Sequence, residues 1–180
     1  MHGRIFWQFR EYVEAIHGKD RWTSLLDQVG LEERIYTAQP YPDEEAMALI
    51  NAEASTSGRS PSQVLQEFGA FTVTPLLHMC GGKIKPEWRA LDVIEKAEKV
   101  AHGLVRFEQP GAVPPFLRTQ RLNPHLLLLF YNSPRKWCAF AVGVGLGLGK
   151  HFDQPIVSRH RQCMHEGADH CEILFELLGI

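Results

Sequence analysis

The sequence feature that most restricts the fold is a change of hydrophobic period near the middle of the chain. In the first part, apolar residues recur every three or four positions, as in Ile5, Phe9, Val13 and Ile16, which predicts helices. In the last part, short apolar runs alternate with turn residues, which predicts strands joined in hairpins. Residues 109–115 between them are rich in glycine and proline. The pattern predicts a mixed α+β fold, with an N-terminal helical subdomain followed by a C-terminal antiparallel sheet with helices.

The length of the chain favours one domain. A chain of 180 residues is long enough for one well-cored domain and too short for two comfortable ones. We therefore predict a single domain over residues 1–180, with a helical subdomain over about residues 1–60 and a sheet-containing subdomain over about residues 61–180.

Composition excludes several classes of function. The apolar fraction of 44% and the charged fraction of 22% are those of a soluble globular protein. A net charge of -2 without a basic block argues against binding to nucleic acid or to an anionic membrane. No apolar run is long enough to cross a bilayer and no signal peptide precedes the first helix, so we predict a cytoplasmic protein without membrane insertion. In that compartment the four cysteines are expected to be thiols or metal ligands rather than disulfides.

Helix and strand boundaries follow from caps and breakers. Gly30 and the Ser57-Gly58 pair are expected to end helices, and Pro75 is expected to interrupt one. The predicted helices cover residues 4–17, 22–29, 43–57, 61 onward, 88–106 and a glycine-rich 137–152. The predicted hairpins pair residues 116–122 with 126–131, and 155–163 with 171–178.

The second strand of the first hairpin runs into the sequence Tyr131-Asn132-Ser133-Pro134-Arg135. Alternate side chains of an extended backbone share one face, so Tyr131, Ser133 and Arg135 are expected together. All three donate hydrogen bonds, and arginine can bind a carboxylate through two parallel bonds. The row suits paired carboxylates held beside an apolar pocket. The alternative is a strand end with ordinary polar residues.

His102 lies at the border of the apolar stripe of the predicted helix 88–106, one helical turn after Glu98. Gly103 beside it leaves room for a group to approach the backbone closely. One interpretation is a histidine at the solvent edge of a helix. The other is an axial metal ligand, because neutral imidazole is the common ligand of haem iron.

The second hairpin carries a possible metal site. His160 and Cys163 precede its turn and Cys171 follows it, while Cys138 at the start of the glycine-rich helix can supply a fourth ligand. Three thiolates and an imidazole form an ordinary closed zinc site. His165 and His170 compete for the histidine position, and buried free thiols are the alternative to a metal.

Taken together, these residues resemble the haem-nitric oxide/oxygen binding family, H-NOX, in its stand-alone bacterial form, which is related to the haem domain of soluble guanylate cyclase. The resemblance covers essentially the whole chain. It is carried by Met1-His2-Gly3, Tyr41-Pro42-Asp43, the helix with His102, Pro114-Pro115, the triplet Tyr131/Ser133/Arg135, and the segment from Cys163 to Cys171.

The resemblance implies a role for each candidate residue. His102 would be the proximal ligand of the iron of haem b, held between the two subdomains, while Tyr131, Ser133 and Arg135 would bind the haem propionates. Pro115 would press on the porphyrin and bend it. A Zn²⁺ site found in a bacterial subgroup matches Cys138, His160, Cys163 and Cys171, and the expected distal haem pocket comprises Ile5, Phe9, Phe140 and Val144.

The resemblance also implies a function. Family members that hold oxygen stably have a distal tyrosine where this chain has Phe140, and a phenyl ring cannot donate a hydrogen bond to bound oxygen. We therefore expect nitric oxide and carbon monoxide to bind, without a stable oxygen complex. Nitric oxide would weaken the bond between His102 and iron and release the helix that carries His102. The signal would pass to a separate partner, a histidine kinase or a diguanylate cyclase.

Other functions remain as alternatives. A redox sensor would use the thiolates of Cys138, Cys163 and Cys171, because zinc-bound thiolates can be oxidised and release the metal. A hydrolase with a Cys/His pair is disfavoured because no nucleophile elbow or matching signature is present. Haem catalysis is disfavoured because the expected distal side offers no acid or base. The chain is therefore predicted not to be an enzyme.

Overall fold

The computed structural model describes residues 3–32, 36–37, 39, 41–108 and 113–179. The chain forms two compact units, Met1–Phe68 and Gly69–Ile180. The first consists of helices, and the second contains a four-stranded antiparallel sheet with helices, which confirms the predicted α+β class. Within the described ranges, no helix is both long and apolar enough to span a bilayer. The Met1-His2 pair of the resemblance, and residues 109–112 of the predicted break, lie outside the described residues.

The helices of the first unit end where local signals predict. Helix α1 covers Gly3–His17, α2 covers Lys19–Val29, α3 covers Asp43–Ser57, and α4, which begins in this unit, covers Pro61–Phe71. Gly30 and Gly58 follow α2 and α3 with φ of 69°, a left-handed conformation that glycine adopts without steric cost. The core of this unit is rich in aromatic and branched side chains, among them Tyr12, Val13, Trp22, Leu25, Leu49, Ile50 and Phe68.

The predicted interruption of the fourth helix falls three residues before Pro75. Helix α4 stops at Phe71, and α5 begins after Thr72 and covers Val73–Cys80. Proline has no N–H to donate to the carbonyl four residues earlier, which belongs to Phe71, and its ring would clash with that carbonyl. The chain therefore breaks at Thr72, whose hydroxyl donates to the Gly69 carbonyl at 2.8 Å.

The segment predicted as one helix over residues 88–106 has three parts. Helix α6 covers Ala90–Ala97, a π-helical turn covers Glu98–His102, and α7 covers Gly103–Glu108. Helix α6 begins at Ala90 rather than Trp88 because the Asp92 carboxylate accepts the Arg89 N–H at 2.9 Å and closes the first turn. The π-helical turn is a finding that hydrophobic periodicity did not indicate.

The sheet consists of the two predicted hairpins. Strands β1, Phe116–Asn123, and β2, Leu126–Asn132, form the first, and β3, Ile156–Gln162, and β4, Cys171–Leu177, form the second. The spatial order is β1-β2-β4-β3, with every neighbouring pair antiparallel. The hairpins therefore meet through β2 and β4, the two strands with the most buried side chains.

The glycine-rich helix α8, Cys138–His151, packs closely on this sheet. A Cβ atom at Gly145 would lie 2.2 Å from the ring of Phe175, which is fully buried in β4. A Cβ at Gly149 would lie 2.7 Å from the Gln154 carbonyl oxygen. The glycines thus permit an approach that larger residues would prevent, as the predicted packing against a flat surface requires.

Candidate functional site

His102 closes the π-helical turn and lies in a largely buried position. Its side chain is 17% exposed, and its Nδ1 lies 3.0 Å from Oε2 of Glu98, the residue that opens the same turn. Burial lowers the pKa of His102, although the Glu98 carboxylate acts in the opposite direction. At neutral pH the ring is therefore held in its neutral form, which is the form that binds a metal.

Glu98 connects His102 to the sheet. Its Oε2 also accepts the backbone N–H of Leu117 at 3.1 Å, and its Oε1 accepts from Arg106 Nη2 at 2.5 Å. Burial acts to raise the pKa of Glu98, but the hydrogen bonds from His102 and Arg106 lower it, so the carboxylate stays ionised. Leu117 pairs directly with Tyr131 across β1 and β2. The imidazole and the first residue of the triplet are thereby brought to one region of the second unit.

The triplet is held by a turn rather than by an extended strand. Strand β2 ends at Asn132, and the N–H of Lys136 donates to the Ser133 carbonyl at 3.0 Å. The expectation that alternation alone places the three side chains on one face was therefore wrong beyond Asn132. Pro134 cannot donate to a strand neighbour, so the chain turns there.

Hydrogen bonds nevertheless keep the triplet residues close to one another. The phenol oxygen of Tyr131 accepts the Trp137 N–H at 3.0 Å, and Tyr131 is also hydrogen-bonded to the Ser133 side chain. Tyr131 and Ser133 are 3% and 1% exposed. Arg135 is half-buried, its N–H bonds to the Ser133 hydroxyl at 3.3 Å, and its Nη2 donates to the Val113 carbonyl at 2.5 Å.

The remaining haem-pocket candidates lie in both units. Pro115 is half-buried, and its backbone lies close enough to the His102 ring to act to raise the pKa of His102. Phe140 and Val144 are half-buried on α8. In the first unit Ile5 is half-buried, whereas Phe9 is 4% exposed and packs in the aromatic core, 5.1 Å from the Phe68 ring centre. The distal roles of these residues stay predictions.

The four metal-ligand candidates lie together in the second unit. The ligand atoms of Cys138, His160, Cys163 and Cys171 all lie within 4.8 Å of one another. The Cys163 sulfur lies 3.8 Å from the sulfurs of both Cys138 and Cys171. Tetrahedral bonds of about 2.3 Å to zinc place two sulfurs about 3.8 Å apart. The cluster therefore has the composition and spacing of a tetrahedral site.

The competing histidines are engaged elsewhere. Nε2 of His165 lies 2.8 Å from the Lys136 carbonyl oxygen, and Nε2 of His170 lies 3.0 Å from the Gln162 amide. Burial lowers the pKa of His160, which keeps its ring neutral and able to bind a metal. Burial also raises the pKa of the Cys171 thiol, so without a cation this sulfur is protonated at neutral pH.

Comparison with known proteins identifies the family. The sequence profile of the family described as Haem-NO-binding matches residues 2–160. The chain belongs to this family. A comparison with curated proteins found no match.

Several H-NOX structures share the fold. An H-NOX protein from Shewanella oneidensis in the Fe(II)NO ligation state is 28% identical, with a TM-score of 0.91 over 99% of this chain and 100% of that chain. The same organism's SO2144 H-NOX domain in the Fe(II)CO state is 28% identical, with a TM-score of 0.87 over the full length of both chains. The I5F mutant of the T. tengcongensis H-NOX is 18% identical, with a TM-score of 0.86 over 99% of this chain and 98% of that chain, and this similarity shows the fold alone.

Sequence reasoning missed the part that Glu98 plays beside His102. The signal was present, because a carboxylate four residues before a histidine lies on the same side of a helix. The additional bonds from Arg106 and Leu117 to Glu98 depend on tertiary structure.

Proposed function

We propose that this H-NOX protein is a haem-based nitric oxide sensor that also binds carbon monoxide. The observation that carries the proposal is the position of a neutral imidazole, His102, beside the strand pair that bears Tyr131 and leads into the turn with Ser133. Glu98 links the two parts through its bonds to His102 and to Leu117, the strand partner of Tyr131. Membership of the Haem-NO-binding family gives this arrangement its ligand.

The residues present fit a haem. Tyr131, Ser133 and Arg135 offer a phenol, a hydroxyl and a guanidinium for two propionates, and Phe140 and Val144 leave apolar surface only half-buried on α8. A bound ferrous haem supplies an open coordination position for a diatomic gas. His102 would hold the opposite side through Nε2, since its Nδ1 faces Glu98. Pro115, whose backbone lies beside the His102 ring, would contact the same face of the haem as the imidazole.

The signal would leave through the segment that carries His102. A bond from His102 to the haem iron would hold the π-helical turn and α7 in place, and weakening of that bond by nitric oxide would release both elements. A separate protein, a histidine kinase or a diguanylate cyclase, would read that change. No catalytic activity of the chain itself is proposed.

Visible absorption spectra test the gas-binding proposal directly. Ferrous protein prepared with ample haem should be coloured and should shift its absorption with nitric oxide and with carbon monoxide. Reduced protein in air should oxidise without a long-lived oxygen complex, because Phe140 lacks the hydroxyl that would stabilise bound oxygen. A colourless protein would refute haem binding, and a stable oxygen complex would refute the predicted selectivity.

The partner requires a separate test. His102→Gly protein supplied with imidazole should bind haem and nitric oxide without a covalent path from iron to the helix. Its response to nitric oxide in a reconstituted kinase or cyclase assay should be lost. A fully retained response would contradict release of His102 as the signal.

A thiol or zinc redox sensor is the second candidate, favoured by the position of the Cys163 sulfur 3.8 Å from the sulfurs of both Cys138 and Cys171. We propose that these residues and His160 bind Zn²⁺, which would hold the sulfurs as thiolates despite their burial. Oxidant should then change partner activity in haem-free protein. Gas sensing predicts no response without haem.

A further inference from the structure

Glu98 and His102 form a carboxylate–imidazole pair whose proton arrangement follows from chemistry. A carboxylate only accepts hydrogen bonds, so the 3.0 Å contact requires a proton on Nδ1 of His102. In a neutral ring the lone pair then lies on Nε2. The pair therefore selects one of the two imidazole tautomers, and the selected tautomer leaves Nε2 as the nitrogen available to a metal.

The carboxylate of Glu98 is itself fixed by groups from two other elements. Arg106 in α7 donates to Oε1 at 2.5 Å, and the Leu117 N–H in β1 donates to Oε2 at 3.1 Å. The side chain is 31% exposed, so bulk water competes with these bonds only in part. A carboxylate held from both sides cannot rotate away from the imidazole without losing these bonds.

We propose that Glu98 is the positioning residue of the haem ligand, fixing the tautomer and orientation of His102 and strengthening its bond to iron. This rests on the proposed haem binding. A carboxylate that accepts the Nδ1 proton makes the other nitrogen a stronger donor, and removing such a partner weakens metal binding about 10- to 100-fold in other sites. Glu98 therefore sets how readily nitric oxide breaks the bond between His102 and iron.

The test compares Glu98→Gln with a matched control, Glu95→Gln. Glu95 lies in the same segment and pairs with Arg121 at 3.1 Å. In the ferrous, unliganded protein, resonance Raman spectroscopy should show a lower iron–histidine stretching frequency in E98Q than in the wild type. The nitric oxide complex of E98Q should contain a larger five-coordinate fraction by electron paramagnetic resonance. E95Q should match the wild type in both.

Haem release provides a second measurement. Transfer of haem to an acceptor protein should be about tenfold faster or more from E98Q than from E95Q. Unchanged stretching frequency, coordination and transfer rate in haem-loaded E98Q would overturn the proposal. A wild-type protein that binds no haem would instead refute the proposed function.

The tautomer of His102 can be measured without haem. This measurement separates a failure of the Glu98 proposal from a failure of haem binding. In the haem-free wild type, nitrogen NMR of the histidine rings, assigned with His102→Gln, should show His102 with its proton on Nδ1. In Glu98→Ala the fraction of rings that carry the proton on Nε2, the form favoured by free histidine, should rise. A wild-type ring protonated on Nε2 would overturn the proposal whether or not any Glu98 variant folds.

Discussion

At the scale of single residues, Glu53 is the charged side chain most completely removed from solvent among those that the structure describes. Its side chain is 0% exposed, and it pairs with Arg21 at 3.0 Å, with Arg59 at 2.7 Å and with His17 at 3.1 Å. A buried carboxylate persists only where its partners replace the hydration it has lost. Glu53 therefore holds α1, α2 and α3 of the first unit to the Arg59 that follows them.

Glu53→Gln should lower the free energy of unfolding by about 2 to 3 kcal/mol, because Arg21 loses its counter-charge and Arg59 keeps only that of Glu67. The expected loss in the free energy of unfolding is smaller than that for a fully buried pair, since Arg21 and Arg59 keep about a fifth of their side-chain surface in solvent. Urea denaturation measures the loss. Glu14→Gln, which removes an i,i+4 pair with Arg10, is the control and should cost under about 0.5 kcal/mol. Equal losses would contradict the central role of Glu53.

The raised pKa of Tyr131 predicts how the stability of the fold changes at alkaline pH. Burial raises the pKa of Tyr131 from 10.0 to about 12, while its bonds to Ser133 and Trp137 act to lower it. A raised pKa means that the unfolded chain loses the proton first. Its contribution to stability is therefore complete below pH 10 and is lost as the pH rises toward 12.

Ultraviolet difference titration of haem-free wild type against Tyr131→Phe should reveal one phenol that ionises near pH 12. The stability difference between the two proteins should shrink by up to about 3 kcal/mol over that range. A difference titration centred near pH 10 would mean that the phenol is exposed to water.

At the scale of elements, helix α8 can pack closely on the sheet only because glycine has no side chain. Gly145→Ala would drive a methyl group into the ring of Phe175, which is fully buried and cannot turn out into solvent. We expect a loss of about 1 to 3 kcal/mol, the usual cost of overpacking a core. Thermal unfolding measures it. Gly82→Ala, where a Cβ meets nothing within 4 Å, is the control, and an equal loss there would disprove the packing argument.

The sequence predicted those elements whose ends are set locally. Gly30 and Gly58 mark helix ends by a conformation that other residues avoid, so the ends of α2 and α3 follow from single residues. The π-helical turn before Gly103 could not be predicted, since its carboxylate is held by Arg106 and Leu117, which tertiary structure brings near.

The candidate sites were predictable to different degrees. The hairpin placed Cys163 and Cys171 near each other from spacing alone. The choice of His160 over His165 and His170 could not be predicted, because the contacts of those two rings with the Lys136 carbonyl and the Gln162 amide form only in the folded chain. For the triplet, Pro134 signalled the strand end, but strand alternation does not apply to the turn that follows.

At the scale of the whole molecule, the proposed zinc site joins the start of α8 to both strands of the second hairpin. Chelation of zinc from haem-free protein should lower the thermal midpoint of unfolding, because structural zinc contributes on the order of 10 kcal/mol in small peptides. His160→Ala should bind zinc more weakly, measured by metal content after dialysis. The ring of His165 is bonded to the Lys136 carbonyl and not to the cysteine cluster, so His165→Ala should retain zinc. Equal metal content in all three proteins would refute the ligand assignment.

Tyr131 faces Cys171 directly across β2 and β4, and its phenol accepts the N–H of Trp137, the residue before Cys138. Tyr131, which is proposed to bind a propionate, therefore lies next to Cys171 and close to Cys138, which are both proposed to bind zinc. Oxidation that freed either sulfur would also loosen a support of the phenol. The affinity for nitric oxide would then depend on the oxidation state of these cysteines. A dose–response curve for nitric oxide would shift between reduced and oxidised samples.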